Sequence, residues 1–196
     1  MRRIVAFDQL SADGYFAAPD GNLNWVVPDP EMAKAAEAGM SQLGAILFGR
    51  RTYEMFAQFW PQAAESPAPA SPHGGQTPEQ TKAMGVFFTE TPKLVFSRTL
   101  KDPKWKNTRV LAEFDARQVE SLKNEPGNDM MIFGSGKIAS LLTRHRLIDE
   151  YQLLVCPVLL GGGKTLLNGM PESLKLKLLE AKPLPTGNVM LRYAPA

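Results

Sequence analysis

The sequence predicts an α/β fold of three layers, with a mainly parallel central sheet and an antiparallel C-terminal hairpin. Three observations carry this expectation. Short runs rich in β-branched and aromatic residues alternate with stretches of helical periodicity along most of the 196 residues. Cap signals open several of the helical stretches: Asp29-Pro30, Thr77-Pro78-Glu79-Gln80 and Asp115. The last two apolar runs flank Pro183, Pro185 and Gly187, the composition of a hairpin turn.

Arg3–Phe7 reads as the first strand, and a loop rich in Gly, Asp and Pro follows from Ser11 to Pro28. Beyond the Asp29 cap, Met32, Ala35, Ala36, Met40 and Leu43 keep to one face at helical spacing. Ala45–Phe48 is a compact buried strand, and Arg50–Phe59 is a short helix directly after it. Residues 61–76 carry Pro61, Pro67, Pro69 and Pro72 amid Ala, Ser and Gly. That composition predicts a mobile surface loop inside a single domain covering residues 1–196, since neither flank makes a domain by itself. A capping box at Thr77 restarts a helix. Lys93–Ser97 and Thr108–Leu111 are strands joined by a turn containing Pro103 and Trp105. The helix after Asp115 ends before Pro126-Gly127. Met130–Phe133 is a strand, Lys137–Arg144 a helix and Tyr151–Val158 a strand. Leu174–Ala181 and Asn188–Tyr193 form the terminal hairpin. No internal repeat is present.

Composition excludes several function classes. At 44% hydrophobic and 21% charged residues the chain is ordinary globular protein, and no apolar run approaches the ~18–20 residues a membrane span requires. Asp8 interrupts the apolar stretch behind Arg2-Arg3, so no secretory hydrophobic region is expected. One cysteine, Cys156, points to a reducing cytoplasm, and two histidines beside it argue against a His/Cys metal centre. With 22 basic and 20 acidic side chains the balance gives no case for nucleic acid. Between Lys93 and Arg109, however, basic residues outnumber acids six to one. The segment either faces something negative or is simply well solvated.

Two strand-to-helix junctions carry the chemistry of phosphate binding. In Phe48-Gly49-Arg50-Arg51-Thr52-Tyr53-Glu54, glycine admits close backbone approach, and the helix start aims free N–H groups outward. Two guanidinium groups and a hydroxyl add donors in the first turn. Residue types alone leave a solvated helix face equally open. Phe133-Gly134-Ser135-Gly136-Lys137-Ile138-Ala139 places G-x-G-x-x-A straight after a strand, the form of a dinucleotide turn. No acid ends the next strand, so a Rossmann assignment fails while a pyrophosphate on this helix start stands. Gly161-Gly162-Gly163-Lys164-Thr165 lacks the spacing of a Walker A loop. Ser135 is in no nucleophile elbow, His145 keeps to an apolar helix face, and His73 falls in the Pro-rich segment.

Taken in order, these segments resemble the dihydrofolate-reductase-like superfamily, which includes the reductase domain of bacterial riboflavin biosynthesis. Ser11-Ala12-Asp13-Gly14 is similar to its S-x-D-G loop, and Gly49-Arg50-Arg51-Thr52-Tyr53-Glu54 to its G-R-x-T-[WY]-E motif. Leu94–Thr99 resembles the strand and turn that receive an adenosine 2′-phosphate, and Phe133–Ile138 the pyrophosphate turn. Asp149-Glu150-Tyr151 through Gly161 resembles the riboflavin-reductase branch. The resemblance spans nearly the whole chain. It implies a three-layer dihydrofolate-reductase-like fold and NADPH as cofactor. Gly49, Arg50, Arg51 and Thr52 would meet its phosphates, Ser97 and Arg98 would complete the 2′-phosphate subsite, and Gly134, Ser135, Gly136, Lys137 and Ile138 would hold the pyrophosphate. Phe16 would pack near the nicotinamide.

The implied activity is reduction of a small heterocyclic substrate, of the 5-amino-6-(5-phosphoribosylamino)uracil reductase type. Dihydrofolate reduction and a non-catalytic ligand-binding protein are the alternatives. Candidate acids are Asp13, Asp29 and Glu31, with Asp29 doubling as a helix cap and Asp13 as a turn former. Folate reductases carry a carboxylate on the helix after a W-x-x-P segment. Here Trp25-Val26-Val27-Pro28 is followed by Asp29-Pro30-Glu31, which puts Pro30 at the acid position. The riboflavin branch has a basic residue after D-G, where this chain has Tyr15. The resemblance also implies a small-molecule substrate and is compatible with a homodimer, since the riboflavin branch commonly pairs subunits; composition and apolar run length point to no nucleic-acid or membrane partner.

Overall fold

The computed structural model describes residues 1–65, 77–167 and 170–196. Among the described residues ten strands form in chain order: β1 (Ile4–Ser11), β2 (Tyr15–Ala17), β3 (Leu43–Gly49), β4 (Lys93–Phe96), β5 (Thr108–Leu111), β6 (Asp129–Phe133), β7 (Glu150–Cys156), β8 (Lys164–Thr165), β9 (Leu176–Pro183) and β10 (Val189–Pro195). Eight of them make one sheet in the order β5-β4-β3-β6-β1-β7-β10-β9. The six from β5 to β7 are parallel, and the C-terminal hairpin adds β10 and β9 antiparallel at one edge. β2 and β8 pair separately. The helices are α1 (Pro30–Gly39), α2 (Arg50–Glu65), α3 (Pro78–Glu90), α4 (Ala116–Asn124) and α5 (Gly136–Arg144).

Three layers follow from covering both faces of the parallel sheet. Side chains alternate along a strand, so Ala45 and Leu47 of β3 join Ile4, Ala6 and Ile132 beneath α4 and α5. Ile46 and Phe48 point the other way and pack with Tyr53 and Trp60 of α2 and Phe88 of α3. A strand buried on both faces reads as continuous apolar sequence, as Ile46-Leu47-Phe48 does.

The cap signals place the helix starts. Asp29 accepts from the Met32 amide and Asp115 from the Arg117 amide, while Thr77 and Gln80 close a reciprocal capping box. Several boundaries differ from expectation, two of them for reasons visible in the packing. β1 runs on to Ser11 because Leu10 and Ser11 pair with Val155 and Cys156 of β7. α2 does not end near Phe59: it continues through Pro61 to Glu65. Trp60 and Ala63 are buried against α3, where Gly85 brings the two backbones together; a Cβ on Gly85 would lie 2.7 Å from the Ala64 nitrogen. Packing of this kind outweighs the one backbone hydrogen bond a proline removes. The first part of the expected Pro-rich loop is therefore helix, and residues 66–76, His73 among them, lie outside the described residues.

Of the six basic residues between Lys93 and Arg109, Lys93 is buried and the other five are exposed. Lys93 has 0% exposure, and its Nζ donates to the carbonyls of Phe88, Thr89 and Thr91 at 2.7, 3.0 and 2.7 Å. It thereby closes the C-terminus of α3, and its charge sits 4.3 Å from the ring centre of the buried Trp105. Lys104 pairs with Asp102, and Lys106 pairs with Glu90.

Candidate functional site

β3 and β6 are neighbours in the sheet, yet the helices that follow them leave to opposite faces. In an open parallel sheet such a divergence opens a crevice at the carboxyl ends of the strands. A cleft of about 1410 Å³ lies there. Its walls bring together Gly49 to Thr52 at the start of α2 and Gly134 to Ile138 at the start of α5. The two junctions are bonded directly: the Gly49 amide donates to Ser135 Oγ at 2.8 Å, across 86 residues of chain.

Local geometry explains the residue types. Gly134 and Ser135 both take positive φ, 60° and 69°, so the chain turns sharply off β6 into α5. Ser135 gives α5 no side-chain cap because its hydroxyl serves Gly49. The opening amides of α5 and α2 have no partners inside their helices, and both helix starts carry positive partial charge toward the same cleft. Gly136 is closed over by Phe16 of β2 and the Leu166 carbonyl, 3.0 and 3.1 Å from where its Cβ would stand. Phe16 thus roofs this end of the cleft, beside Lys164, Thr165 and Leu166.

Positive charge collects along the same walls. Arg50 Nη1 donates to Thr99 Oγ1 at 2.6 Å, and its Nε lies 3.1 Å from Glu54. Arg51, Lys137 and Lys164 also line the cleft. Ser97 and Arg98 do not. Ser97 Oγ instead accepts from the amides of Thr99 and Leu100, shaping the turn that carries Thr99 to the wall.

The three candidate acids have separate places. Asp13 is outside the cleft lining; it binds the Ser11 hydroxyl and the amides of Leu160 and Gly161, and these bonds hold its carboxyl below the usual range. Glu31 also lies outside and pairs with Lys182. Asp29 lines the cleft but caps α1 and accepts from Thr186. Burial works upward on its carboxyl, yet the bonds from Thr186 and the Met32 amide outweigh that and hold it below its ordinary value.

A fourth acid, not among the sequence candidates, lines the same cleft. Asp8 of β1 is 2% exposed, and neither carboxyl oxygen has a hydrogen-bond partner. Burial alone pushes its carboxyl well above the usual range. The signal was a charge inside an apolar central strand, which in the sequence looked only like the end of a hydrophobic run. Among the described residues no group of His, Cys, Asp and Glu is arranged to hold a metal ion.

The family model for the RibD C-terminal domain matches residues 2–190. Among curated proteins, the uncharacterized YyaP of Bacillus subtilis (strain 168) is 26% identical over 98% of this chain and 94% of its own. A putative riboflavin biosynthesis protein from Shewanella sp. PV-4 superposes with a TM-score of 0.73 at 20% identity, covering 99% of both chains. Dihydrofolate reductase from Enterococcus faecalis, complexed with NADP(H) and RAB-propyl, gives a TM-score of 0.61 at 11% identity, over 98% of this chain and 96% of that one. At these identities the likeness establishes the dihydrofolate-reductase-like fold.

Proposed function

The chain belongs to the RibD C-terminal domain family, and from that premise we propose an NADPH-dependent reductase of a small heterocyclic substrate, of the 5-amino-6-(5-phosphoribosylamino)uracil reductase type. One observation carries the reading: the 2.8 Å bond from Gly49 to Ser135 joins two helix N-termini, rich in glycine and cations, into one cleft.

The residues present fit such a cofactor. The cleft, of about 1410 Å³, has room for a dinucleotide, its pyrophosphate end is lined by the opening turn of α5, and a Cβ on Gly136 would crowd the roof at 3.0 Å. Gly134 to Ile138 would hold the pyrophosphate, with Lys137 adding charge. Arg50 and Arg51, with Thr52 and Thr99, would meet the 2′-phosphate, and Ser97 shapes the turn that carries Thr99. When bound, the reduced nicotinamide supplies two electrons and a hydrogen to the carbon of a C=N or C=O group. This chain orients that carbon, excludes water with the Phe16 roof and holds a proton for the neighbouring heteroatom. On this reading the protein acts in the cytoplasm on a small molecule, as a homodimer, with neither nucleic acid nor membrane as partner.

Titration of purified protein with NADPH and NADH tests the assignment. Charged hydrogen bonds to phosphate are worth about 1.5–3 kcal/mol each, so Arg51→Ala is expected to weaken NADPH roughly tenfold to a hundredfold while NADH changes little. Equal losses for both nucleotides remove the 2′-phosphate assignment. Absence of saturable NADPH binding by the wild type removes the proposal. Oxidation of NADPH with aminopyrimidine or pteridine substrates separates an enzyme from a ligand-binding protein.

A further inference from the structure

The three candidate acids Asp13, Asp29 and Glu31 are all held by other partners, which leaves the proton of the proposed reduction without a source. Asp8 supplies one. Ile4, Ala6 and Asp8 alternate onto the sheet face that α5 covers, because Ile4 and Ala6 pack with Ile138 and Leu142. Asp8 is the last of the three, in the carboxyl half of β1, and it lines the cleft. Its register partner on β7 is the apolar Leu153, and on the other side Phe7 pairs with Phe133 of β6.

The charged groups on the surrounding elements leave Asp8 alone. Arg3 of β1 binds Asp129 and Glu150, Glu150 of β7 binds Arg192, and Asp29 is fixed by its cap and Thr186. Tyr151 of β7 donates to Thr143 of α5. Lys137 of α5 and Lys164 of β8 line the cleft, yet neither reaches the Asp8 oxygens. A carboxylate so buried and unpaired is strongly disfavoured against the neutral acid. A neutral acid is also the form that tolerates a phosphate-bearing ligand in the same cleft.

Resting on the reductase reading above, we infer that Asp8 holds a proton in the cleft and donates it to the nitrogen or oxygen of the bound C=N or C=O substrate. The balance is simple. As the carbon of that bond gains hydrogen and an electron pair from the reduced nicotinamide, the heteroatom takes the Asp8 proton. The Asp8 carboxylate then regains a proton from solvent on product release.

Two measurements decide it, and the first needs no turnover. Infrared spectra at pH 7 of wild type and Asp8→Asn, each labelled with [4-13C]aspartate, should differ by one neutral carboxylic-acid carbonyl band. No such band means that Asp8 is ionised, and the inference is wrong. Second, Asp8→Asn should bind NADPH within about twofold of wild type. Its kcat for the aminopyrimidine substrate should fall about 10²–10³-fold, within the range for loss of a general acid, with KM nearly unchanged. The high-pH limb of the kcat profile should vanish with it. A variant that keeps kcat and loses only KM makes Asp8 a binding group and overturns the proposal. Failure of wild type to bind NADPH defeats the reductase reading instead, and the infrared band still reports on Asp8.

Discussion

Replacing Gly49 by alanine probes the join between the two halves of the cleft. Gly49 has no positive φ, so the cost arises from contact alone. The new Cβ would stand 2.7 Å from Ser135 Oγ and 3.2 Å from Ile138 Cγ1, and the first distance is too short to persist. Either Ser135 rotates away, losing the bond to the Gly49 amide, or α5 shifts outward. A lost hydrogen bond costs about 0.5–1.5 kcal/mol, and overpacking typically adds ~1–3 kcal/mol. Gly49→Ala should therefore destabilise by about 1–3 kcal/mol in urea unfolding and weaken NADPH at least tenfold. Ser135→Ala loses the bond without the clash and should cost only about 1 kcal/mol. In the double variant the nearest obstacle is gone, so its loss should be smaller than the sum of the singles by more than ~0.5 kcal/mol, the scatter of independent sites. Additive losses, or wild-type NADPH affinity in Gly49→Ala, would show that the two turns do not act as one cradle.

Two stability measurements test other parts of the structure. Lys93→Met removes the donor for three carbonyls at the end of α3 and should cost about 3 kcal/mol, read from the urea midpoint. Burial lowers the Lys93 ammonium to about 8, below its unfolded value of about 10.5. Between these values the unfolded chain binds more protons, so wild-type stability should rise from pH 8 to 10.5, and the variant should lack that rise. Asp8 runs the opposite way. Its folded carboxyl is raised above the unfolded value of ~3.9, the folded chain binds more protons, and wild-type stability should fall as pH climbs past 4. Asp8→Val should unfold at higher urea than wild type at pH 8, with the gap closing toward pH 4. A gap independent of pH would contradict the raised carboxyl.

Local signals were legible because they act over a few residues. Asp29, Thr77 with Gln80, and Asp115 each satisfy amides within three positions of themselves, so the chain alone places these helix starts. Continuous apolar runs such as Ile46-Leu47-Phe48 announce burial on both faces. Pro61 misled because its local penalty is visible in sequence while the compensating approach of Gly85 to the α2 backbone is not. β2 and β8 are too short to carry a period, and only their pairing defines them. Lys93 looked like part of a charged surface for the same reason: its partners are carbonyls, which no sequence pattern displays.

The site divides along the same line. Each glycine turn could be read as phosphate-facing, but their union through Gly49 and Ser135 depends on β3 and β6 being neighbours, which the chain order conceals. Asp8 is the sharper case. A carboxyl on a strand can be solvated, salt-bridged or buried neutral, and sequence gives the three the same letter. Here the flanking β6 and β7, with α5 above, take away water without offering a cation, so the fold itself sets the protonation state. Maintaining such a group weakens the native state. A stability cost concentrated at the wall of a cleft, rather than dispersed through the core, is what a site built to hold a transferable proton requires.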